Sequence, residues 1–138
     1  MEVERVQQGQ PEPIRVCVVE AQALFRDAWS AIVGTGEMEL GAVAGTPDEL
    51  PARSCDVVVL DVDGQREPCA TLIRRIWSRV GKVPVCAVAM RPTLDVLASR
   101  THGEAVVVLK SAPPSQVRAA IWAAARRERF EQAVPGGI

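Results

Sequence analysis

Five short apolar runs, separated by longer amphipathic stretches, constrain this chain more than any other feature. The clearest is Asp56-Val57-Val58-Val59-Leu60-Asp61, in which three β-branched residues and a leucine end abruptly in a carboxylate. Such a run suits a strand buried on both faces of a parallel sheet. Similar runs cover Ile14 to Val19, Met38 to Ala44, Val83 to Ala89 and Ala105 to Leu109. The stretches between them carry helical spacing. From Gln22 to Val33 the spaced residues are Leu24, Phe25, Ala28, Trp29, Ile32 and Val33, with Gly34 as a stop. From Ala70 to Val80 an apolar side of Leu72, Ile73, Ile76, Trp77 and Val80 opposes Arg74, Arg75 and Arg79. Thr93 to Arg100 is a modest helix, and Pro114 to Phe130 a closing helix with Val117, Ala120, Ile121 and Ala124 inward. Thr46-Pro47-Asp48-Glu49 reads as a helix start, with Thr46 as N-cap and Glu49 completing a capping box. Pro51 keeps that helix short.

Strand and helix alternate five times. A chain of that pattern buries its sheet on both faces by right-handed crossovers. The expectation is an α/β protein with a flavodoxin-like (βα)5 doubly wound parallel sheet, strand order 2-1-3-4-5. At 138 residues it is one domain with a real core. Residues 14–130 form that domain. Residues 1–13, polar and with two prolines, read as a flexible arm, and residues 131–138 as a linker or chain end.

Charge and composition exclude several classes. The net charge of -1 gives no basic field for nucleic acid or membrane, and 4% aromatic residues are few for base stacking. No apolar run is long enough to span a bilayer and no signal peptide opens the chain. The cysteines, Cys17, Cys55, Cys69 and Cys86, form no Cys-x-x-Cys pair, and His102 is the only histidine, so zinc is not expected. His102 precedes Gly103 at a helix end, where it interacts with the last carbonyls. A reduced, cytoplasmic protein is the simplest account.

The chemistry gathers at the strand ends. The first strand ends in Glu20, the third in Asp61, the fourth in Ala89 and the fifth in Lys110. In the order 2-1-3-4-5, strands one and three are neighbours at the switch point, where ligands bind. Two carboxylates there suggest a raised pKa or a bound divalent cation, and a lysine across from them suits an acid or a phosphoryl oxygen. The plain alternative for Asp61 is a solvated loop residue or an N-cap.

At these residues the chain resembles a response-regulator receiver domain, most closely of the NarL/FixJ type of transcription regulator. The likeness runs from about Ile14 to Arg127 and is carried by IRVCVVEAQALFRD, CDVVVLD, TLIRRI, VPVCAVAM and VVVLKSAPPSQVRAAI in that order. The resemblance implies a regulatory domain of a two-component phosphorelay that is not an enzyme. Asp61 falls where the family accepts a phosphoryl group from a histidine kinase, and Lys110 where its lysine touches that group. It also implies a homodimer, or a heterodimer with a related receiver. Trp122, off the inward stripe and at a helical offset from Arg118 and Arg126, is the candidate anchor, with Arg118 beside it. The plainer reading of Trp122 is a half-buried residue lying along its own helix. DNA enters only through a separate C-terminal domain outside this chain.

The departures from that family are specific. The second acid after the first strand is replaced by Ala21. The hydroxyl residue ending strand four is Ala89, which cannot hydrogen-bond through its side chain. The aromatic switch position in strand five is Val107, and Asp63-Gly64-Gln65-Arg66-Glu67-Pro68 replaces the usual loop after the acceptor. An atypical receiver follows, acting mainly through dimerisation, with phosphorylation of Asp61 weakened or absent. Glu20, Asp61 and Asp63 would form at best a weak Mg2+ site. Two other classes compete. A pseudo-receiver sensing a small molecule is one, because Ala21 and Ala89 make the pocket less polar. An enzyme on the same fold is the other. Against it stand the lack of a P-loop or Gly-x-Gly-x-x-Gly and of a Ser/His or Cys/His pair at the sheet edge.

Overall fold

The apolar runs become five strands: β1 (Ile14–Val19), β2 (Met38–Ala44), β3 (Val57–Asp61), β4 (Val85–Ala89) and β5 (Val106–Leu109). The computed structural model describes residues 12–131 except 35, 53 and 54, so the arm and tail expected from the sequence lie almost wholly outside the described residues. All strand pairs are parallel and the order is β2-β1-β3-β4-β5, as the alternation predicts. β3 is buried along its whole length. It is fixed where it starts, because Asp56 accepts the Arg15 N–H at 2.7 Å through its carboxylate. Opposite Cys17, β2 carries one extra residue, so that Val16 pairs with Leu40 and Val18 with Val43. A Cβ at Gly41 in this bulge would lie 3.0 Å from Cys17 Sγ and from the Arg15 side chain, which favours glycine.

Helices cover both faces: α1 (Ala23–Arg26), α2 (Ala28–Val33), α3 (Cys69–Val80), α4 (Leu94–Thr101) and α5 (Pro114–Ala125), with a single 3-10 turn at Pro47–Glu49. On one face Leu72, Ile73, Ile76 and Val80 of α3 and Val96 of α4 pack on Val19, Val58, Leu60 and Ala87. On the other, Trp29 and Val33 of α2 and Val117, Ala120, Ile121 and Ala124 of α5 pack on Val16, Val57, Val59 and Cys86. Each fully buried aliphatic side chain contributes about 1.5–3 kcal/mol. Alternating sides along β3 is what divides one apolar run between two cores. Cys86, deep in β4, is a small apolar residue, and its burial pushes the thiol pKa up to about 12.

Beyond one-residue shifts at element ends, four features differ from the sequence expectation. The helix expected over 22–33 is interrupted at Asp27. The four-residue α1 buries nothing, so Leu24 is 90% and Phe25 50% exposed, and only Trp29 and Val33 of that stretch are fully buried. The capping box does not close. Thr46 makes no side-chain cap, and Glu49 instead accepts the Gly45 N–H at 2.7 Å. β4 begins at Val85 rather than Val83, since Pro84 has no N–H to give the ladder. α5 stops at Ala125 instead of Phe130. Arg127 takes φ 56°, its N–H donates to the Ala124 carbonyl, and the Glu128 N–H donates to that of Ala123. This pair of bonds is a Schellman stop, made here without glycine. It places the charged run Arg126 to Arg129 past the helix and turns Phe130 back onto the α5 core.

Candidate functional site

Parallel strands deliver their last residues to one edge, and the candidate site is built there. Glu20 follows β1, Asp61 ends β3 and Lys110 follows β5. Lys110 is carried to the edge by the β4–β5 ladder, where its N–H donates to the Ala89 carbonyl at 2.9 Å. Asp63 is returned to the same spot by a tight turn. The Gln65 N–H reaches the Val62 carbonyl at 3.4 Å, and Gly64 takes φ 80°, a conformation that glycine alone adopts without strain.

The Lys110 ammonium bridges two acids, 2.8 Å from Asp61 Oδ2 and 2.9 Å from Asp63 Oδ2. The Asp63 N–H donates to Asp61 Oδ1 at 3.0 Å, and the Met90 N–H donates to Asp63 Oδ2 at 2.9 Å. Asp61 is fully buried, and its Oδ2 takes no well-aligned hydrogen bond despite the nearby ammonium, so that contact is ionic. Burial, then the neighbouring Glu20 carboxyl, push the Asp61 pKa from 3.8 up to about 7, against the opposing pull of Lys110. Burial also works against the Lys110 charge. Its contacts with Asp61 and Asp63 outweigh that and hold its pKa above the usual lysine value. The Phe25 ring lies over this ammonium, 5.8 Å from centroid to Nζ.

Glu20, 1% exposed, lies beside Asp61 and has donors of its own. The Trp29 indole N–H donates to its Oε1 at 3.0 Å and the Gln22 N–H to its Oε2 at 3.2 Å. Arg26 Nε donates to the Glu20 carbonyl at 3.0 Å, pinning the same residue from its backbone. The sequence pattern reads Trp29 and Phe25 only as core spacing. Their partners in the site follow from the break at Asp27, which no local signal marks.

The structure thus gathers Glu20, Asp61, Asp63 and Lys110, as the strand-end reading expects. Of the three carboxylates expected as Mg2+ ligands, Glu20 and Asp63 have oxygens facing protein donors, Asp61 lies beside Glu20, and Ala21 offers no side-chain oxygen; no group of three or more His, Cys, Asp or Glu among the described residues is arranged to hold a metal. Ala89 is fully buried, and Val107 faces the α3 core. Trp122 and Arg118 lie elsewhere, on α5. Trp122 is half-buried against the α5 core with Arg126 stacked 4.6 Å from its ring centroid, and Arg118 reaches the Ile32 carbonyl at 3.5 Å. His102 caps α4, exposed, with its backbone N–H on the Ala98 carbonyl at 2.9 Å. A groove of about 400 Å³ borders Asp63 and Met90, while a larger one of about 840 Å³ lies at the opposite edge, between Trp77 and Phe130. No helix among the described residues is long and apolar enough to cross a membrane.

No protein-family model and no curated protein matches the chain. Solved structures do. The response regulator ChrA of a heme-sensing two-component system is 26% identical with a TM-score of 0.70, over 91% of this chain and 62% of its own. This chain therefore spans less than two thirds of that regulator. A LuxR-family two-component response regulator from Aurantimonas sp. SI85-9A1 gives 19% identity and a TM-score of 0.69, over 86% of this chain and 89% of its own. The receiver domain of the putative response regulator NarL from Mycobacterium tuberculosis gives 16% and 0.65, over 84% of this chain and 98% of its own. The chain has the five-stranded, 2-1-3-4-5 fold of response-regulator receiver domains.

Proposed function

We propose that this chain is the regulatory domain of an atypical response regulator of the NarL/FixJ type, acting by assembly rather than by phosphorylation of Asp61. The observation that carries the reading is the Lys110 ammonium, bound to Asp61 and Asp63 together. A phosphoryl group on Asp61 would have to draw that lysine off Asp63 before the lysine could report it. At strand four there is then no hydroxyl to follow, because Ala89 has none. The likeness in fold to ChrA, a response regulator in a heme-sensing two-component system, supports the class.

Assembly without a phosphodonor is the expected consequence. A homodimer, or a heterodimer with a related receiver, forms over α5, where Trp122 is only half-buried. Sedimentation velocity checks it. Wild type and Asp61→Asn self-associate equally without phosphodonor, and Trp122→Ala weakens association by about 2 kcal/mol or more. A wild type that stays monomeric at high concentration, and captures no related receiver, contradicts the reading.

The second reading is a receiver-like sensor of a small molecule, favoured by the groove beside Asp63 and Met90. Asp63, Glu67 and Asp95 outnumber Arg91 in its lining, so its effector would be cationic or rich in hydrogen-bond donors.

A further inference from the structure

Two of the site's acids, Asp61 and Asp63, already share one cation, and the protein itself supplies it. We propose that the Lys110 ammonium is the resident cation of this edge, standing in the place of a divalent metal and excluding one. The side chains at the edge carry this inference whether or not the chain assembles. A magnesium-type ion binds oxygen at about 2.0–2.1 Å and demands near-octahedral oxygen donors. The buried carboxylate oxygen left without a well-aligned hydrogen bond is Asp61 Oδ2, and Lys110 Nζ sits 2.8 Å from it. An ion on that oxygen would lie within about 5 Å of the ammonium, beside a fully buried carboxylate, where like charges repel more strongly than in open water.

The neighbouring carboxylates are steadied by protein donors and stay at this edge when the ammonium is removed. Asp63 Oδ2 carries both the ammonium and the Met90 N–H. Each Glu20 oxygen accepts one protein hydrogen bond, from the Trp29 indole and the Gln22 backbone, which leaves both with a lone pair to spare. Ala21, the next residue along the edge, contributes no oxygen from its side chain. The ammonium thus solves the problem a metal would solve, by placing positive charge between two carboxylates. It does so without releasing any of the protein's own hydrogen bonds.

Removing the ammonium should open the site to a metal. Mn2+ is the probe, followed by electron paramagnetic resonance with Mg2+ as competitor, on wild type, Lys110→Ala and Lys110→Gln. Lys110→Gln keeps a hydrogen-bond donor without the charge and serves where the alanine variant does not fold. Wild type is expected to bind weakly, and each folded variant at least about tenfold more tightly. Mg2+ should raise the melting temperature of the variants and leave that of wild type unchanged. A wild type that takes Mn2+ as tightly as the variants overturns the proposal, whatever its assembly state. Variants that bind no better than wild type overturn it too, because the carboxylates and not the ammonium would then set the limit.

Discussion

Asp61→Asn should make this protein more stable at neutral pH, by roughly 2–4 kcal/mol. The sign follows from where the proton sits. The Asp61 pKa is 3.8 in an open chain and about 7 in the fold, raised first by burial and then by Glu20. Below about pH 4 the carboxyl is protonated in both states and costs nothing. As pH rises from there toward 7, the unfolded chain ionises freely, while the fold must keep the proton or hold a buried charge. Stability is therefore lost across that window and stays lost above it. Asparagine resembles the protonated acid and leaves Lys110 its contact with Asp63. Thermal melts of wild type and variant from pH 4 to pH 8 check it. The wild-type melting temperature should fall across the window while that of Asp61→Asn stays nearly flat. Parallel profiles would mean that Asp61 ionises without cost.

A second large effect is expected at Trp29. Its ring packs with Val16, Val33 and Met38, and its indole N–H is the donor to buried Glu20 Oε1. Trp29→Ala should cost about 3–5 kcal/mol from the lost packing alone. Trp29→Phe keeps most of the packing and removes the donor, for about 1–3 kcal/mol from an unsatisfied buried carboxylate oxygen. Urea denaturation of the three proteins separates the two parts. A phenylalanine variant as stable as wild type would show that Glu20 finds another donor.

Much of this was legible in the sequence because it depends on strand ends. Once β1 and β3 are neighbours, an acid directly after each must share an edge, and Lys110 after β5 must face them. Asp63 joins them because Gly64 allows a tight turn two residues past Asp61. What was not legible depends on where helices break. Asp27 keeps helical φ and ψ, yet α1 and α2 separate there. Phe25 is therefore freed to lie over Lys110, while Trp29 turns inward to Glu20. The end of α5 was hidden for a similar reason. Its left-handed residue is Arg127, so no glycine announces the stop. The carboxylates can be counted from the sequence, but the backbone N–H groups, the indole and the ammonium that meet their oxygens cannot.

Intact mass spectrometry of the protein incubated with acetyl phosphate and Mg2+, beside an Asp61→Asn control, tests the central claim most directly. With Lys110 bound to both Asp61 and Asp63, Ala21 in place of an acid and no hydroxyl at Ala89, the mass of a phosphoryl group should be gained slowly or not at all. Rapid stoichiometric labelling of wild type, absent from the control, would contradict the account.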